Sequence, residues 1–183
     1  MQIVSFARAG YTGEIVKVEA DLRRGIPAID IVGLPDGAVR EARERMRVAI
    51  RNSGLDFPRE RILINLSPAD LKKEGGSFDL PIALGVLAAS EGNVPEGEAI
   101  LVLGELELSG TVRPVRGVLA AVARAQEAGI ADFILPAENL EEARLLGAPA
   151  RGARNLAEAL NAYHEICSIR ALRGSDAETE GSG

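Results

Sequence analysis

The spacing of apolar residues changes twice between residues 28 and 67, and this change constrains the fold more than any other feature. "AIDIVG" (28–33) and "RILINLS" (61–67) are typical of strands. The stretch between them has the 3.6-residue period of a helix whose apolar face collects Val39, Ala42, Met46, Ala49 and Ile50. Gly54 stands where such a helix would end. A strand, a helix and a strand in succession predict an α/β protein.

The rest of the chain continues this alternation. Strands are predicted at 3–7, 14–22, 99–108, 111–115 and 132–136, with a turn at Ser109-Gly110. Helices are predicted at 78–92, 116–129, 137–147 and 155–166. The sequence therefore predicts an α/β (α+β) fold, a two-layer sandwich with a mixed β-sheet that begins as a small β meander.

Composition allows one domain and excludes several classes of protein. The 183 residues are 46% hydrophobic, but only 3% are aromatic and Trp is absent, so Val, Ile, Leu and Ala must build the core. The net charge of −6 gives no overall attraction to nucleic acid or membrane. Cys167 is the single cysteine, which fits a reducing compartment. No apolar run is long enough to span a bilayer, so we expect a cytoplasmic protein with no membrane partner.

The end of the chain differs in composition from the rest. The final "RGSDAETEGSG" holds no apolar residue other than one alanine. We therefore expect an ordered domain over residues 1–165 and a linker or disordered tail over residues 166–183.

The stretch "KKEGGSFDLPIAL" (72–84) invites two functional readings. A phosphate-binding loop has its lysine after the last glycine, and here both lysines precede the glycines. Ser77 could instead be a nucleophile, but the only histidine, His164, lies far along the last predicted helix. The favoured interpretation is structural: Ser77 caps a helix beginning at Phe78 or Asp79, and Asp79 complements the helix dipole. The glycines Gly75 and Gly76 then supply a turn with positive φ.

Four arginines recur three or four residues apart on the helix predicted after residue 36. This arginine stripe consists of Arg40, Arg43, Arg47 and Arg51. Neighbouring basic residues that could extend it are Arg59, Arg61, Lys72 and Lys73. Such a patch suits the backbone of a nucleic acid or an acidic partner. A solvated face, partly neutralised by Glu41 and Glu44, is the interpretation preferred on this pattern alone, since no aromatic residue is interleaved for base stacking.

Two further pairs of residues carry no site. Glu105 and Glu107 share one face of a predicted strand but lack a partner cluster. His164 and Cys167 are spaced three apart on a helix, and two ligands do not make a metal site. We therefore predict no metal.

Residues 71–139 resemble the proteolytic domain of Lon proteases. The resemblance rests on "KEGGSFDLPIAL", "GELELSGTVRPVRGVLAAVARAQEAGI" and "FILPAEN". It implies that Ser77 occupies the nucleophile position and that the position of the Lon lysine falls near Ala121. Arg116 and Arg124, the nearest alternatives, stay protonated and cannot serve as a base. We expect a Lon-like scaffold whose Ser77 is inactive, with no catalytic residue.

Residues 5–163 resemble the N-terminal domain of the YifB/ComM group, magnesium-chelatase-like AAA+ ATPases associated with competence. The matching stretches are "GIPAIDIVGLPDGAVREARERMRVAIRNSGLDFP", "RILINLSPADLKKEGGSFDLPIALGVLAAS" and "LGELELSGTVRPVRGVL". The resemblance implies the ribosomal protein S5 domain 2-like fold. It also implies a parent protein with an AAA+ module that uses ATP and Mg²⁺, forms a homo-hexamer and acts as a DNA helicase in branch migration during natural transformation.

This sequence contains no Walker motif, so we expect it to be the isolated N-terminal domain, non-catalytic and without a cofactor, whose partner is the AAA+ module of the same polypeptide. The leading hypothesis is docking to DNA, to a partner or to neighbouring subunits. The residues assigned to DNA are Arg40, Arg43, Arg47, Arg51, Lys72 and Lys73. One alternative is a pure ring-assembly domain that uses the "LPDG" and "SPADL" loops. A third is a Ser77-dependent hydrolase.

Overall fold

A computed structural model describes residues 2–9, 12–92 and 97–180. Its strands are β1 (Gln2–Ala9), β2 (Thr12–Arg23), β3 (Ile29–Val32), β4 (Arg61–Ser67), β5 (Ala99–Val102), β6 (Glu105–Leu106), β7 (Val112–Arg113), β8 (Asp132–Pro136) and β9 (Ala150–Ala153). Its helices are α1 (Gly37–Asn52), α2 (Asp79–Ser90), α3 (Val118–Glu127), α4 (Leu140–Leu145) and α5 (Leu156–Glu180). Short 3₁₀ turns, Gly76–Phe78 and Ala137–Asn139, lead into α2 and α4.

Seven strands form one mixed sheet in the order β3-β4-β2-β1-β5-β8-β9. The strand β2 pairs antiparallel with β1 and β4, and the remaining pairs are parallel. The predicted meander is corrected here, because β4 lies between β2 and β3. The helix α1 crosses from β3 to its parallel neighbour β4, and that long connection inserts β4 beside β2.

Helices cover both faces of the sheet, but unequally. Along β5, Ile100 and Val102 face the core formed with α1, α2 and α5, whereas Leu101 and Leu103 face the core formed with α3 and α4. The predicted α/β fold with a mixed sheet is confirmed. The helices α3 and α4 add a partial third layer, while the outer face of β2, β4 and β3 is open to solvent and carries ion pairs beside the exposed apolar side chains Val32 and Leu63.

The strand predicted at residues 99–108 is divided in the structure. β5 ends at Val102, and β6 and β7 form a separate two-stranded ribbon. The backbone at Gly104 passes so close to α2 that a Cβ there would lie 2.9 Å from a methyl group of Leu80. The strand β9 was not predicted, because "ARGA" (150–153) offers no large apolar residue to mark a period.

The last helix extends beyond the predicted domain boundary at residue 165. Ile166 is buried in the core, and Arg170 pairs with Asp132 and, at 2.6 Å, with Glu98. The prediction of a linker from residue 166 is therefore corrected, because apolar packing and these ion pairs attach the next turns of α5 to the domain. Helix continues to Glu180, with residues 171–177 exposed. Among the described helices, none combines the length and apolar character needed to cross a bilayer.

Candidate nucleic-acid interface

Helix α1 presents the arginine stripe because its opposite face is buried. Asp36 caps the helix by accepting a hydrogen bond of 2.8 Å from the Val39 N–H. The five apolar residues predicted for the inner face, Val39, Ala42, Met46, Ala49 and Ile50, are all buried. Gly54 follows the helix with φ +72°, as its position predicted. The stripe is thus fixed on the outer side of a well-anchored helix.

The four arginines of the stripe differ in exposure. Arg40 and Arg51 are exposed, and Arg43 and Arg47 are half-buried. Arg43 donates from Nε to the Arg40 carbonyl at 3.0 Å and from Nη1 to the Ile29 carbonyl at 3.4 Å. Within the described ranges none of the four forms an ion pair, since the Glu41 carboxylate lies 3.6 Å from Arg45 instead.

An aromatic ring lies beside the stripe, which the sequence analysis did not predict. The guanidinium of Arg47 sits over the ring of Phe57, with its Cζ 5.8 Å from the ring centroid. The Arg47 Nε is buried and has no acceptor among the described residues. Phe57 comes six residues after Arg51, and the turn at Gly54 returns the chain to the helix, which is the signal that could have indicated it.

Phe57 belongs to a hollow at the C-terminal end of α1. This arginine hollow, of about 950 Å³, is lined mainly by the last turns of α1 and residues 54–59. Three of its lining side chains are cationic: Arg47, Arg51 and Arg59. Asp56 is the one carboxylate among its lining residues. The hollow therefore combines an excess of positive charge with an aromatic wall.

The two lysines assigned to DNA differ in exposure. Lys73 is fully buried, and its Nζ donates to the Pro68 carbonyl. Burial lowers the pKa of Lys73 below its ordinary value. A phosphate cannot reach this ammonium group, so the assignment of Lys73 to a DNA contact is wrong. Lys72 is exposed, but Glu74 pairs with it at 3.3 Å.

Ser77 lies in the 3₁₀ turn before α2 and lines a cleft of about 720 Å³. It does not cap α2, whose N-terminus receives no side-chain hydrogen bond, so the predicted capping role is wrong. Gly75 has the predicted positive φ, +85°, but Gly76 does not. Gly76 is instead in close contact with Glu105, whose carboxyl carbon would lie 2.8 Å from an added Cβ.

The cleft that Ser77 lines contains no histidine or lysine among the described residues; its charged side chains are Arg8, Asp36, Glu74, Glu105 and Arg116. Among the described residues, no histidine or lysine is hydrogen-bonded to its hydroxyl. Ala121, at the position of the Lon lysine, is fully buried in α3. His164 bonds Glu91 at 2.7 Å, just beyond the C-terminal end of α2. Ser77 lies at the opposite end of this helix, whose 12 residues span about 18 Å. Arg124 lies 3.5 Å from Glu14.

A buried ion pair anchors α1 to the Ser77 region, and the sequence analysis missed it. The fully buried Asp79 accepts two hydrogen bonds of 2.9 Å from Arg45 and one of 3.1 Å from the Leu106 N–H. Burial raises the pKa of the Asp79 carboxyl, and these hydrogen bonds oppose that rise. The hydrogen bond to Asp79 raises the pKa of Arg45. No local signal could have found a pair that is 34 residues apart.

The remaining candidate pairs have structural partners. Glu107 pairs with Arg113 at 2.9 Å across the β6–β7 ribbon. Burial raises the pKa of Tyr163, which lies beside Cys167. In the part of the chain that the structure describes, no group of three or more His, Cys, Asp or Glu side chains is arranged to hold a metal ion.

Comparison with known proteins places the fold in context. Residues 18–139 match the family described as "Subunit ChlI of Mg-chelatase". The chain is 46% identical over 156 residues to an uncharacterized protein of Mycobacterium tuberculosis, covering 84% of this chain and 31% of that protein. It is 41% identical over 145 residues to the competence protein ComM of Haemophilus influenzae, covering 79% of this chain and 28% of ComM.

More distant similarity reaches the Lon proteases. The chain is 29% identical over 167 residues to the Lon protease of Chloroflexus aurantiacus, covering 87% of this chain and 20% of that enzyme. The similarity to YifB of Salmonella typhimurium is higher than this, at 44% identity over 141 residues, which cover 76% of this chain and 28% of YifB. The chain thus spans about a third or less of the length of these relatives.

Proposed function

The chain belongs to the family of the Mg-chelatase subunit ChlI, among magnesium-chelatase-like AAA+ proteins related to YifB and ComM, and we propose that it is a docking domain for nucleic acid. The arginine stripe of α1 would contact the phosphate backbone. Arg59 would extend that contact at the end of the helix, in place of the buried Lys73.

The observation that carries this proposal is the uncompensated charge of the stripe. Several exposed arginines elsewhere pair with carboxylates: Arg113 with Glu107, Arg144 with Glu141 and Arg154 with Glu158. The four arginines of the stripe have none among the described residues, although the chain as a whole carries −6. Local cations without carboxylate partners are what a phosphate backbone needs, because binding then releases counterions without breaking existing ion pairs.

We extend the proposal to the longer protein as follows. An AAA+ module of the same polypeptide would bind ATP and Mg²⁺ outside these 183 residues, and a homo-hexamer in the cytoplasm would act on DNA as a helicase. The relative named competence protein ComM supports a role in competence. Ser77 would take no part in catalysis, because the buried Ala121 stands at the position of the Lon lysine and no histidine or lysine lines the cleft among the described residues.

One observation favours assembly of subunits as a second candidate function. Leu34, in the "LPDG" loop, leaves 51% of its surface exposed and adopts φ +55°. A non-glycine residue in this region is strained. An exposed apolar side chain held in a strained loop suits contact with a neighbouring subunit better than contact with phosphate.

The test is a fluorescence-anisotropy titration with single-stranded, duplex and forked DNA at two salt concentrations. We expect affinity to fall with salt. The double variant Arg40→Ala/Arg51→Ala should weaken binding of all sequences and reduce the salt slope by about 1.4 to 1.8, for two lost phosphate contacts. The matched control, Arg144→Ala/Arg173→Ala, removes two charges outside α1 and should bind normally. If the domain binds no DNA at low salt and self-associates in analytical ultracentrifugation, the docking proposal is replaced by the assembly proposal.

A further inference from the structure

We propose that the arginine hollow binds one unpaired nucleotide, with its phosphate on the guanidinium groups and its base against the apolar wall. This inference rests on the proposed function, since it names the form of nucleic acid that the stripe would deliver to the hollow. It goes further in predicting a preference for single strands over duplex.

The charges lining the hollow favour an anion. Arg47, Arg51 and Arg59 contribute three guanidinium groups, and none forms an ion pair within the described ranges. Asp56 contributes the one opposing carboxylate among the lining residues, so cations exceed anions by two. Guanidinium groups bind phosphate oxygens in a two-pronged geometry, and they remain charged at any physiological pH.

The position of Arg47 is set by the aromatic ring beneath it. Its guanidinium lies over Phe57, with Cζ 5.8 Å from the ring centroid, and no carboxylate among the described residues pairs with it. This contact orders a side chain that would otherwise lose rotamer freedom on binding. The charge is therefore pre-positioned where the hollow meets the stripe.

The apolar wall distinguishes a nucleotide from a simple phosphate ion. Pro27, Phe57 and Pro58 line the hollow together with the arginines. The volume of about 950 Å³ lies in the range of sites that hold whole small molecules. A phosphate would leave this wall uncovered, whereas a base stacks on aromatic and guanidinium planes.

A base-paired nucleotide cannot use this wall. Within a duplex both faces of a base are covered by its stacked neighbours, so only a nucleotide out of the helix presents a free face. The stripe, which contacts backbone alone, would accept single and double strands alike. Stacking in the hollow adds binding free energy that only single strands can gain.

The experiment compares a single-stranded oligonucleotide with the duplex of the same length, by anisotropy. Phe57→Leu keeps apolar volume but removes the aromatic face. We expect it to weaken single-strand binding by about five-fold or more and duplex binding by a smaller factor, since Phe57 also orders Arg47 of the stripe. Arg40→Ala, in the stripe but outside the hollow, should weaken both forms alike. Asp56→Asn removes the exposed opposing charge and should tighten single-strand binding, which guards against a trivial loss of folding.

Competition identifies the ligand chemistry. Thymidine monophosphate should displace the single strand at lower concentration than inorganic phosphate or thymidine alone. One result would overturn the nucleotide site in the hollow and leave the docking proposal standing. In that result single strand and duplex bind equally, Arg40→Ala weakens both, and neither responds to Phe57→Leu or Asp56→Asn. Displacement by polyglutamate but not by thymidine monophosphate would assign the hollow to an acidic peptide and overturn the inference. Absence of any DNA binding would overturn both proposals.

Discussion

Replacing Arg45 by alanine should expose how strongly one ion pair holds α1 in place. Arg45 is the only side chain that bonds the Asp79 carboxylate among those described, and Asp79 is fully buried. Removing the partner of a buried charge costs about 3 to 5 kcal/mol. Because the Arg45 side chain keeps 24% of its surface exposed, we expect the lower end, about 3 kcal/mol. For a chain of 183 residues this lowers Tm by about 6 to 12 °C.

The pH dependence of this loss follows from Asp79. Burial raises its folded-state pKa above the unfolded value, and without Arg45 the pKa rises further. A carboxyl with a raised pKa contributes stability that is complete below the unfolded pKa and lost as pH rises through the folded pKa. The penalty of Arg45→Ala should therefore be smaller near pH 4 than at pH 7.

Urea unfolding followed by circular dichroism measures this penalty at both pH values. Arg144→Ala is the matched control, because it breaks the exposed pair with Glu141 and should cost about 0.5 kcal/mol or less. A loss below about 1 kcal/mol at pH 7, or one that grows towards pH 4, would refute the reasoning.

Two further substitutions test other parts of the fold by the same assay. Lys73→Met removes an ammonium group whose pKa is lowered by burial in the folded state. The wild type should therefore gain stability relative to the variant as pH rises towards about 10. A stability difference that stays constant from pH 7 to about pH 10 would contradict the burial of a charged lysine. Gly33→Ala should cost more than about 3 kcal/mol, because Gly33 has φ +103° and a Cβ would lie 1.9 Å from the Leu66 carbonyl oxygen. Gly37→Ala, in open space in the first turn of α1, is its control and should be neutral or mildly stabilising; equal losses in the two glycine variants would show that the overlap at Gly33 is relieved at little cost.

Local patterns determined much of the secondary structure from sequence. The inner face of α1 was predicted residue by residue, because a 3.6-residue period is written in neighbouring positions. The end of α3 was predicted at Gly129, whose φ is +79°, because a left-handed residue after a helix favours glycine. Family membership also followed from sequence, since long ungapped stretches carry it.

Local patterns failed where a neighbouring element decided the outcome. Serine is a residue type that often caps helices, and Ser77 stands just before α2. The chain there forms a 3₁₀ turn packed beside Gly104 and Glu105 instead of a capped helix start. The end of the chain looked disordered by composition, yet Ile166 and Arg170 find partners on other elements. Composition describes what a segment can bury, but not what lies next to it.

The sequence by itself determined most of the helices and strands and the family they belong to, since these are encoded in short or contiguous stretches. The tertiary structure alone decided which charges are available to a ligand. Lys72 and Lys73 are adjacent in sequence, yet one is exposed and the other fully buried. Phe57 contacts Arg47 of the stripe, and Asp79 pairs with Arg45, through contacts between separate elements. Exposure and pairing depend on how distant segments meet, and no local period records that.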